Sequence, residues 1–290
     1  MLAAVMGYEQ WRAGGLRMTP AGSQHTLFVR QDGPVDGAPI TLLHGFPTSS
    51  HDWAPVLPYL LDMQFRVTTF DFLGFGASDK PRKHRYSLLE QADLVEALWA
   101  SLGIVRTDLV AHDYGVSVAQ ELLARDPSRI TSMQWLNGGL LPKLHRPTRE
   151  QQLLRSRFGP VAARLFSERR FRPAMRGILG RPVSDAVLHE MWISLAQHGG
   201  ARLAPALLSY IDDRRDNGDR WEQALRDYPG SQRFIWGPVD PVSGAHMITG
   251  VRAIVPAAEY LILDTPPPVG HYPQVEAPEI VGPIVAAPPS

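Results

Sequence analysis

The chain has 290 residues, with 29 Lys+Arg against 29 Asp+Glu and no cysteine. This charge balance gives no excess positive field of the kind that draws proteins to nucleic acids or anionic membranes, so we expect neither partner. The absence of cysteine excludes disulfides, thiolate metal ligands and a cysteine nucleophile. Hydrophobic residues at 44% and charged residues at 20% are ordinary for a globular chain.

No segment of the sequence is typical of a targeting or membrane-spanning element. The N-terminal stretch MLAAVMGYEQW lacks a basic region and contains the acidic Glu9, so it makes a poor signal peptide. No stretch of about 18 apolar residues occurs, which predicts that no helix spans a membrane. We therefore expect a cytoplasmic protein.

Short apolar runs that stop at turn-forming residues predict a series of buried strands. In chain order they lie at 40–44, 66–71, 107–112, 130–136, 231–236 and 259–263. Ser87 with Glu90 three positions later indicates the start of a helix over 87–102, and a second helix is predicted over 116–125. Strands that alternate with helices at this spacing predict a mostly parallel, doubly wound α/β sheet.

The alternation stops at residue 141. Residues 141–228 are rich in arginine and helix formers, contain several prolines and show no strand pattern. This segment is far longer than an ordinary loop, which indicates either a cap that covers a site or a separate subdomain. We expect an α/β core formed by 1–140 and 229–290, interrupted by a helical cap at 141–228.

The central motif is Ala111-His112-Asp113-Tyr114-Gly115, between a predicted strand and a predicted helix. Small residues two positions before and after Asp113 match the nucleophile elbow, a sharp turn that usually carries serine at its centre. Ser117 lies four residues further on, within the helix, and is interpreted as a helix-face residue. The alternative for Asp113 is a carboxylate that caps the helix N-terminus.

Three further motifs follow predicted strands and complete a catalytic arrangement. In His44-Gly45-Phe46-Pro47, the N–H of Phe46 would pair with that of Tyr114 as an oxyanion hole, although a simple turn is the alternative.

Two later motifs supply an acid and a histidine. Asp240 lies in GPVDP and His271 in GHYP, so the order Asp113, Asp240, His271 is the nucleophile–acid–histidine order of hydrolases with this elbow. Asp264, at the end of the last predicted strand, is a rival acid. No HExxH pattern or carboxylate cluster indicates a metal, so we expect neither metal nor cofactor.

Several segments resemble the epoxide hydrolase/haloalkane dehalogenase branch of the α/β-hydrolases, and within it the mesoderm-specific transcript-like proteins. They are HGFPTSSHDW (44–53), DFLGFGASDKP (71–81), YSLLEQADLVEAL (86–98), AHDYGVSVAQELL (111–123), NGGLLPKLHRP (137–147), GPVDP (237–241) and HYPQVEAP (271–278). The resemblance implies an α/β-hydrolase fold with a helical cap inserted after the sixth strand. It also implies Asp113 as nucleophile, Asp240 as acid and His271 as base.

An aspartate at the elbow determines which substrates are chemically suitable. A carboxylate that attacks an sp³ carbon leaves an ester that activated water can cleave, whereas serine would leave a stable ether. The sequence therefore predicts a small, largely apolar substrate that opens at carbon, an epoxide or an alkyl halide.

The leaving-group donors distinguish these two reactions. The dehalogenases that the chain resembles use a tryptophan after the nucleophile and a second Trp or Asn, where this chain has Tyr114 and Phe46. Epoxide hydrolases use cap tyrosines, for which Tyr210 is the candidate and Tyr228 lies at the cap's trailing edge; the alternative for Tyr210 is a packing residue.

We therefore predict an epoxide hydrolase. The alternatives are a haloalkane dehalogenase or a hydrolase-fold binding protein without turnover. His44, Trp53 and Trp192 are expected to line the substrate pocket. A homodimer is compatible with the sequence, but no feature predicts one.

Overall fold

The computed structural model describes residues 6–289, which form an α/β structure around one eight-stranded sheet. The strands, β1 to β8 in chain order, are Leu16–Met18, Leu27–Asp32, Pro39–Leu43, Arg66–Phe70, Thr107–Ala111, Ile130–Leu136, Ser231–Trp236 and Glu259–Ile262. Their order in the sheet is β1-β2-β4-β3-β5-β6-β7-β8. The contacts of β2 with β1 and β4 are antiparallel and all others are parallel, which confirms the predicted fold class.

The six predicted strands are confirmed, with ends that differ by at most one residue. The prediction missed β1 and β2 at the antiparallel edge. Strand β1 has only three residues, and β2 buries four consecutive residues, among them the charged Arg30, before two more exposed ones. Neither segment shows the alternation or the uniform apolar run by which strands are recognised in a sequence.

Thirteen α-helices surround the sheet in residues 6–289. Helices α1 to α4 are Tyr8–Ala13, Leu57–Asp62, Leu88–Ser101 and Tyr114–Arg125. Helices α5 to α10 lie between β6 and β7, at Arg149–Arg155, Gly159–Arg164, Glu168–Arg176, Asp185–Ala196, Ala204–Leu207 and Tyr210–Asp227. Helices α11 to α13 are Ala245–Ile254, Pro273–Glu276 and Pro278–Val285, and short 3₁₀ turns occur at Ser50–Trp53, Pro127–Arg129, Pro142–Leu144 and Gln197–Leu203.

Two large apolar clusters cover the sheet, and a third lies among the helices between β6 and β7. The third cluster contains Phe171, Leu188 and Met191, and Tyr272 of the core segment after β8 packs into it. Burial of such side chains stabilises each by about 1.5–3 kcal/mol relative to exposure. The helical segment is therefore fixed to the core through the residue that follows His271.

No helix among residues 6–289 combines the length and apolarity that a membrane crossing requires. The interpretation of the N-terminus as a poor signal peptide rests partly on residues 1–5, which lie outside the described residues.

Candidate active site

Asp113 occupies a strained turn between β5 and α4. Its backbone angles are φ 47° and ψ −102°, in a region that side-chain-bearing residues rarely adopt. A Cβ at Gly115 would lie 2.7 Å from the carbonyl oxygen of Leu43, so this position of the turn requires glycine. The backbone N–H of Asp113 donates to the Asn137 carbonyl at 2.9 Å, which ties the turn to the end of β6.

The carboxylate of Asp113 faces the HGFP loop that follows β3. The N–H of Phe46 donates to Asp113 Oδ1 at 2.9 Å, and a Cβ at Gly45 would be 2.9 Å from that of Asp113. Tyr114 is the first residue of α4, so its N–H belongs to the positive end of the helix dipole. The Tyr114 ring points away into an aromatic cluster with Phe72 and Phe75.

His271 joins the two aspartates. Its Nε2 lies 3.5 Å from Asp113 Oδ2, and its Nδ1 lies 2.7 Å from Asp240 Oδ2. Asp240 also accepts hydrogen bonds from the Ser243 hydroxyl at 2.6 Å and the Val242 N–H at 2.7 Å. All three predicted residues are buried and adjacent, as the order of the motifs suggests: His271 hydrogen-bonds to Asp240, and its other ring nitrogen forms an ion pair with Asp113.

Electrostatics favour the charged form of all three groups. Burial opposes the charging of His271, but the charges and hydrogen bonds of Asp240 and Asp113 outweigh it and raise its pKa to about 10. Burial likewise opposes ionisation of Asp240, and His271 with Ser243 outweighs it, so that its pKa falls to about 2. The pKa of Asp113 is well below its usual range, because His271 and then Arg214 outweigh the effect of burial.

Two residues that the sequence did not assign to the site hold its members in place. Asn137 donates through Nδ2 to Asp240 Oδ2 at 3.0 Å and to the Gly237 carbonyl at 2.8 Å. His112 Nε2 donates to the His271 carbonyl at 2.8 Å, and burial is the main cause that lowers the pKa of His112 to about 4, so its ring is neutral. Asn137 begins the NGG segment and His112 lies in the elbow motif, so both belong to motifs that can be recognised in the sequence.

Arg214, in the second turn of α10, reaches into the core. Its side chain is 1% exposed, and it donates through Nε to the Ser117 hydroxyl at 2.7 Å and through a terminal nitrogen to the Asp113 carbonyl at 3.1 Å. Its guanidinium lies 4.4 Å from the Tyr210 ring centre. Ser117 is thus a helix-face residue, as predicted, with a partner that the sequence could not indicate.

A small cavity of about 100 Å³ opens above Asp113 and His271. Its other lining residues are Phe46, Pro47, Thr148, Glu150, Gln151, Leu154, Phe166, Phe171, Ala174, Met175, Ile178, Leu195, Ala201, Ala204 and Val242. Most of these are apolar and come from the segment between β6 and β7. A groove of about 780 Å³ shares Thr148, Leu154 and Phe166 with the cavity and so lies next to it.

Tyr210 lies beside this cavity, at the start of α10. Its hydroxyl accepts a hydrogen bond from Nε2 of the cavity residue Gln151 at 3.2 Å, and its ring centre is 6.1 Å from that of Phe46. Burial raises the pKa of Tyr210 and keeps the phenol protonated, although the charge of Arg214 acts in the opposite direction. Tyr228 does not line the cavity, and its hydroxyl donates to the Ile130 carbonyl.

The structure corrects the predicted pocket wall, since none of His44, Trp53 and Trp192 lines the cavity. His44 is fully buried and uses both ring nitrogens, with Nδ1 donating to the Gly45 carbonyl and Nε2 accepting from the Phe72 N–H. Trp53 is fully buried in the apolar cluster between the sheet and the helices on its other face. Trp192 stands one layer behind the wall, packed on Phe166 and Phe171.

Comparisons with known proteins show the family to which the chain belongs. The model of the alpha/beta hydrolase fold matches residues 38–159. LipZ of Mycobacterium tuberculosis, a protein assigned as a hydrolase, is 41% identical over 278 residues that cover 93% of this chain and 94% of LipZ. The chain belongs to the α/β-hydrolase fold family.

One further relative and one solved structure are similar to this α/β-hydrolase over nearly its whole length. The mesoderm-specific transcript homolog protein of Homo sapiens is 38% identical over 93% of this chain and 84% of its own length, as the resemblance of the motifs predicted. The structure of a loop variant of the haloalkane dehalogenase DbeA from Bradyrhizobium elkanii superposes with a TM-score of 0.77 at 21% identity. That alignment covers 94% of this chain and 96% of DbeA, so the two share the fold.

Proposed function

We propose that this α/β-hydrolase opens epoxides to vicinal diols through an ester of Asp113. The observation that carries the proposal is an ionised carboxylate, rather than a hydroxyl, at the elbow and within reach of the His271–Asp240 pair. A carboxylate nucleophile is chemically suited to substrates that open at sp³ carbon, because the ester it forms can be hydrolysed. Segment 141–228 acts in this proposal as the cap that encloses the substrate.

In the first step, Asp113 Oδ2 forms a bond to an epoxide carbon while the C–O bond of the ring breaks. Tyr210 gives its proton to the departing alkoxide oxygen. The location of Tyr210 beside Phe46 and Gln151, and a pKa that keeps the phenol protonated, support this role. The stacked guanidinium of Arg214 favours the transient phenolate, because it lies 4.4 Å from the ring.

Esterification removes the negative charge of Asp113, which is one cause of the raised pKa of His271. His271 can then release its proton to re-protonate Tyr210 and become a neutral base. It takes a proton from water, and the hydroxide attacks Cγ of Asp113 against the N–H groups of Phe46 and Tyr114. The second diol oxygen leaves with a proton, so the cycle returns Asp113 as carboxylate and His271 as imidazolium.

The apolar lining of the cavity supports a small and largely uncharged reacting group. A haloalkane dehalogenase is the second candidate, since an aspartate nucleophile suits alkyl halides equally well. Halide release requires donors directed at the leaving ion, and the described residues that line the cavity include the amide of Gln151 but no tryptophan. Tyr210 does not line the cavity either, so the preference for the epoxide rests on the hydrogen bond between its hydroxyl and the cavity residue Gln151.

The test is a panel of terminal and internal epoxides and of haloalkanes, with diol and halide measured separately. We expect diol formation by the wild type and none above background by Asp113→Asn, with the fold of the variant checked by its melting temperature. Halide release without diol formation would favour dehalogenation. Equal diol formation by wild type and Asp113→Asn would refute the nucleophile, and no turnover of any compound would favour a binding protein.

A further inference from the structure

Three side chains outside the active site converge by their metal-ligating atoms. His25 lies in the segment before β2, His84 lies before α3, and Glu90 lies in the first turn of α3. One ligand atom from each lies within 4.8 Å of the other two. His25 precedes His84 by 59 positions and His84 precedes Glu90 by 6. The group therefore cannot be recognised from a short sequence motif.

We propose that His25, His84 and Glu90 form a binding site for a divalent transition-metal ion of the zinc type. His84 Nε2 is 2.8 Å from Glu90 Oε2, and His25 Nε2 is 3.9 Å from Glu90 Oε1. Zinc binds imidazole nitrogen and carboxylate oxygen at about 2.0–2.2 Å, which places two tetrahedral ligands roughly 3.4 Å apart. The two distances to Glu90 lie on either side of this value, and the ligand nitrogens of His25 and His84 lie within 4.8 Å of each other, so side-chain adjustments complete the arrangement.

The unpartnered ring nitrogen of His25 indicates that this side chain binds a metal ion and is not part of a completed hydrogen-bond network. Its Nε2 is buried and lacks a hydrogen-bond partner among the described residues, while it faces the carboxylate of Glu90. A buried polar atom without a partner is costly, and a metal ion would satisfy it. The side chains of His25, His84 and Glu90 are 14%, 19% and 26% exposed, which leaves a path from solvent and open coordination positions for water.

The backbone around the three residues is already fixed. The Ser23 hydroxyl accepts from the His25 N–H, the Ser87 hydroxyl accepts from the Glu90 N–H, and the Tyr86 ring packs against His84. An imidazole–carboxylate set selects zinc-type ions over Mg²⁺, which prefers an oxygen shell.

An ion at this site would brace the contact between core and cap. The Tyr86 carbonyl accepts from the Ser209 hydroxyl at 2.8 Å, and the Leu88 N–H donates to Asp213 at 2.8 Å. Both contacts hold the first turn of α10, the helix that carries Tyr210. The proposal concerns ion binding alone and does not depend on the reaction that the active site carries out.

Isothermal titration of the tag-free, EDTA-dialysed protein with ZnCl₂ tests the proposal. We expect one Zn²⁺ per chain, a higher melting temperature with Zn²⁺ and no binding of Mg²⁺. Because loss of an outer-shell partner alone weakens metal sites by about 10–100-fold, His84→Asn and Glu90→Gln should each weaken binding by at least about tenfold. Histidine ring NMR signals of His25 and His84 should shift on Zn²⁺ addition.

His189→Asn is the matched control, because His189 and Glu168 form an exposed pair at 2.7 Å in the cap. This variant should bind Zn²⁺ as the wild type does. Each variant is first compared with the wild type by its melting temperature without metal, so that a folding defect is recognised. The proposal is wrong if the wild type does not bind, if His84→Asn and Glu90→Gln retain full affinity, or if the shifted ring signals belong to other histidines.

Discussion

The active site has a core side and a side formed by segment 141–228, the proposed cap, and the two are built in different ways. On the core side, the Asp240 carboxylate accepts hydrogen bonds from three side chains, one of them His271, and the Asp113 carboxylate accepts one from a backbone N–H of the loop after β3. On the cap side, the cavity wall is mostly apolar, and the Tyr210 hydroxyl has a single hydrogen bond, from Gln151. Chemistry that every turnover requires is thus placed on rigid elements, and the part that meets the variable substrate is formed by side-chain packing.

Arg214 is the link between the two sides. It belongs to α10, in the segment between β6 and β7, yet it donates hydrogen bonds to the backbone of Asp113 and to Ser117 in α4. A buried guanidinium without a carboxylate partner is costly, and here the Asp113 charge and the Tyr210 ring compensate for it. The position of the cap and the charge of the nucleophile are therefore coupled through one side chain.

The largest effect is expected on the core side, from His271→Gln. This change removes the base, and turnover should fall by on the order of 10⁴-fold or more. The first step needs no base, so an ester should accumulate on Asp113 and raise the mass of its peptide by the mass of the substrate. Asp113→Asn should show no adduct under the same conditions, and an adduct on any other residue would contradict the assignment.

Asp240→Asn should lower kcat by about 10⁴-fold, the size found when the acid of a triad loses its charge but keeps its shape. The variant can no longer stabilise the imidazolium of His271. Asp264→Asn is the control, because the rival acid is exposed, and its kcat should equal that of the wild type. If Asp264→Asn lowered kcat and Asp240→Asn did not, Asp264 would be the acid of the triad.

On the cap side, Tyr210→Phe should lower kcat for epoxides by about 10²-fold, the lower range for loss of a general acid. Tyr228→Phe removes a hydroxyl bonded to the Ile130 carbonyl, so it should cost about 1 kcal/mol of stability and leave kcat unchanged. Steady-state kinetics and urea denaturation of both variants separate the two roles. An unchanged kcat for Tyr210→Phe would assign the proton donor to another group.

The last prediction concerns stability as a function of pH. His271 has a folded-state pKa of about 10 against an ordinary value of 6.5, so its ionisation stabilises the fold fully below pH 6.5. This contribution is lost as the pH rises through about 10. The difference in urea midpoint between wild type and His271→Gln should accordingly shrink between these values. A difference that grows with pH would contradict the ion pair of His271 with the two carboxylates.

The sequence predicted the core side far better than the cap side, and the reason is physical. Strand ends and the elbow are encoded by short stretches of sequence. The small residues around Asp113 and the prolines that follow Phe46 and Asp240 are required by the local backbone geometry, so they can be recognised without knowledge of the packing. The aromatic character of Trp53 and Trp192 predicts positions in an apolar pocket wall, but only packing decides which layer such a side chain occupies.

The same limit explains the partners that the sequence did not reveal. Arg214 meets Ser117 and Asp113 across about 100 positions of the numbering, and no local pattern encodes such a contact. Asn137 and His112 did lie in recognisable motifs, yet their roles depend on the register between β5, β6 and β7, which places the ends of these strands side by side.

Single-turnover reaction of excess enzyme with an epoxide in H₂¹⁸O tests the central claim, the ester of Asp113, most directly. The account predicts that the diol carries only ¹⁶O, because its new oxygen comes from the carboxylate. Mass spectrometry should find one ¹⁸O in the peptide that contains Asp113. An ¹⁸O-labelled diol with an unlabelled Asp113 would show that water attacks the epoxide directly, and the carboxylate would then not be a nucleophile.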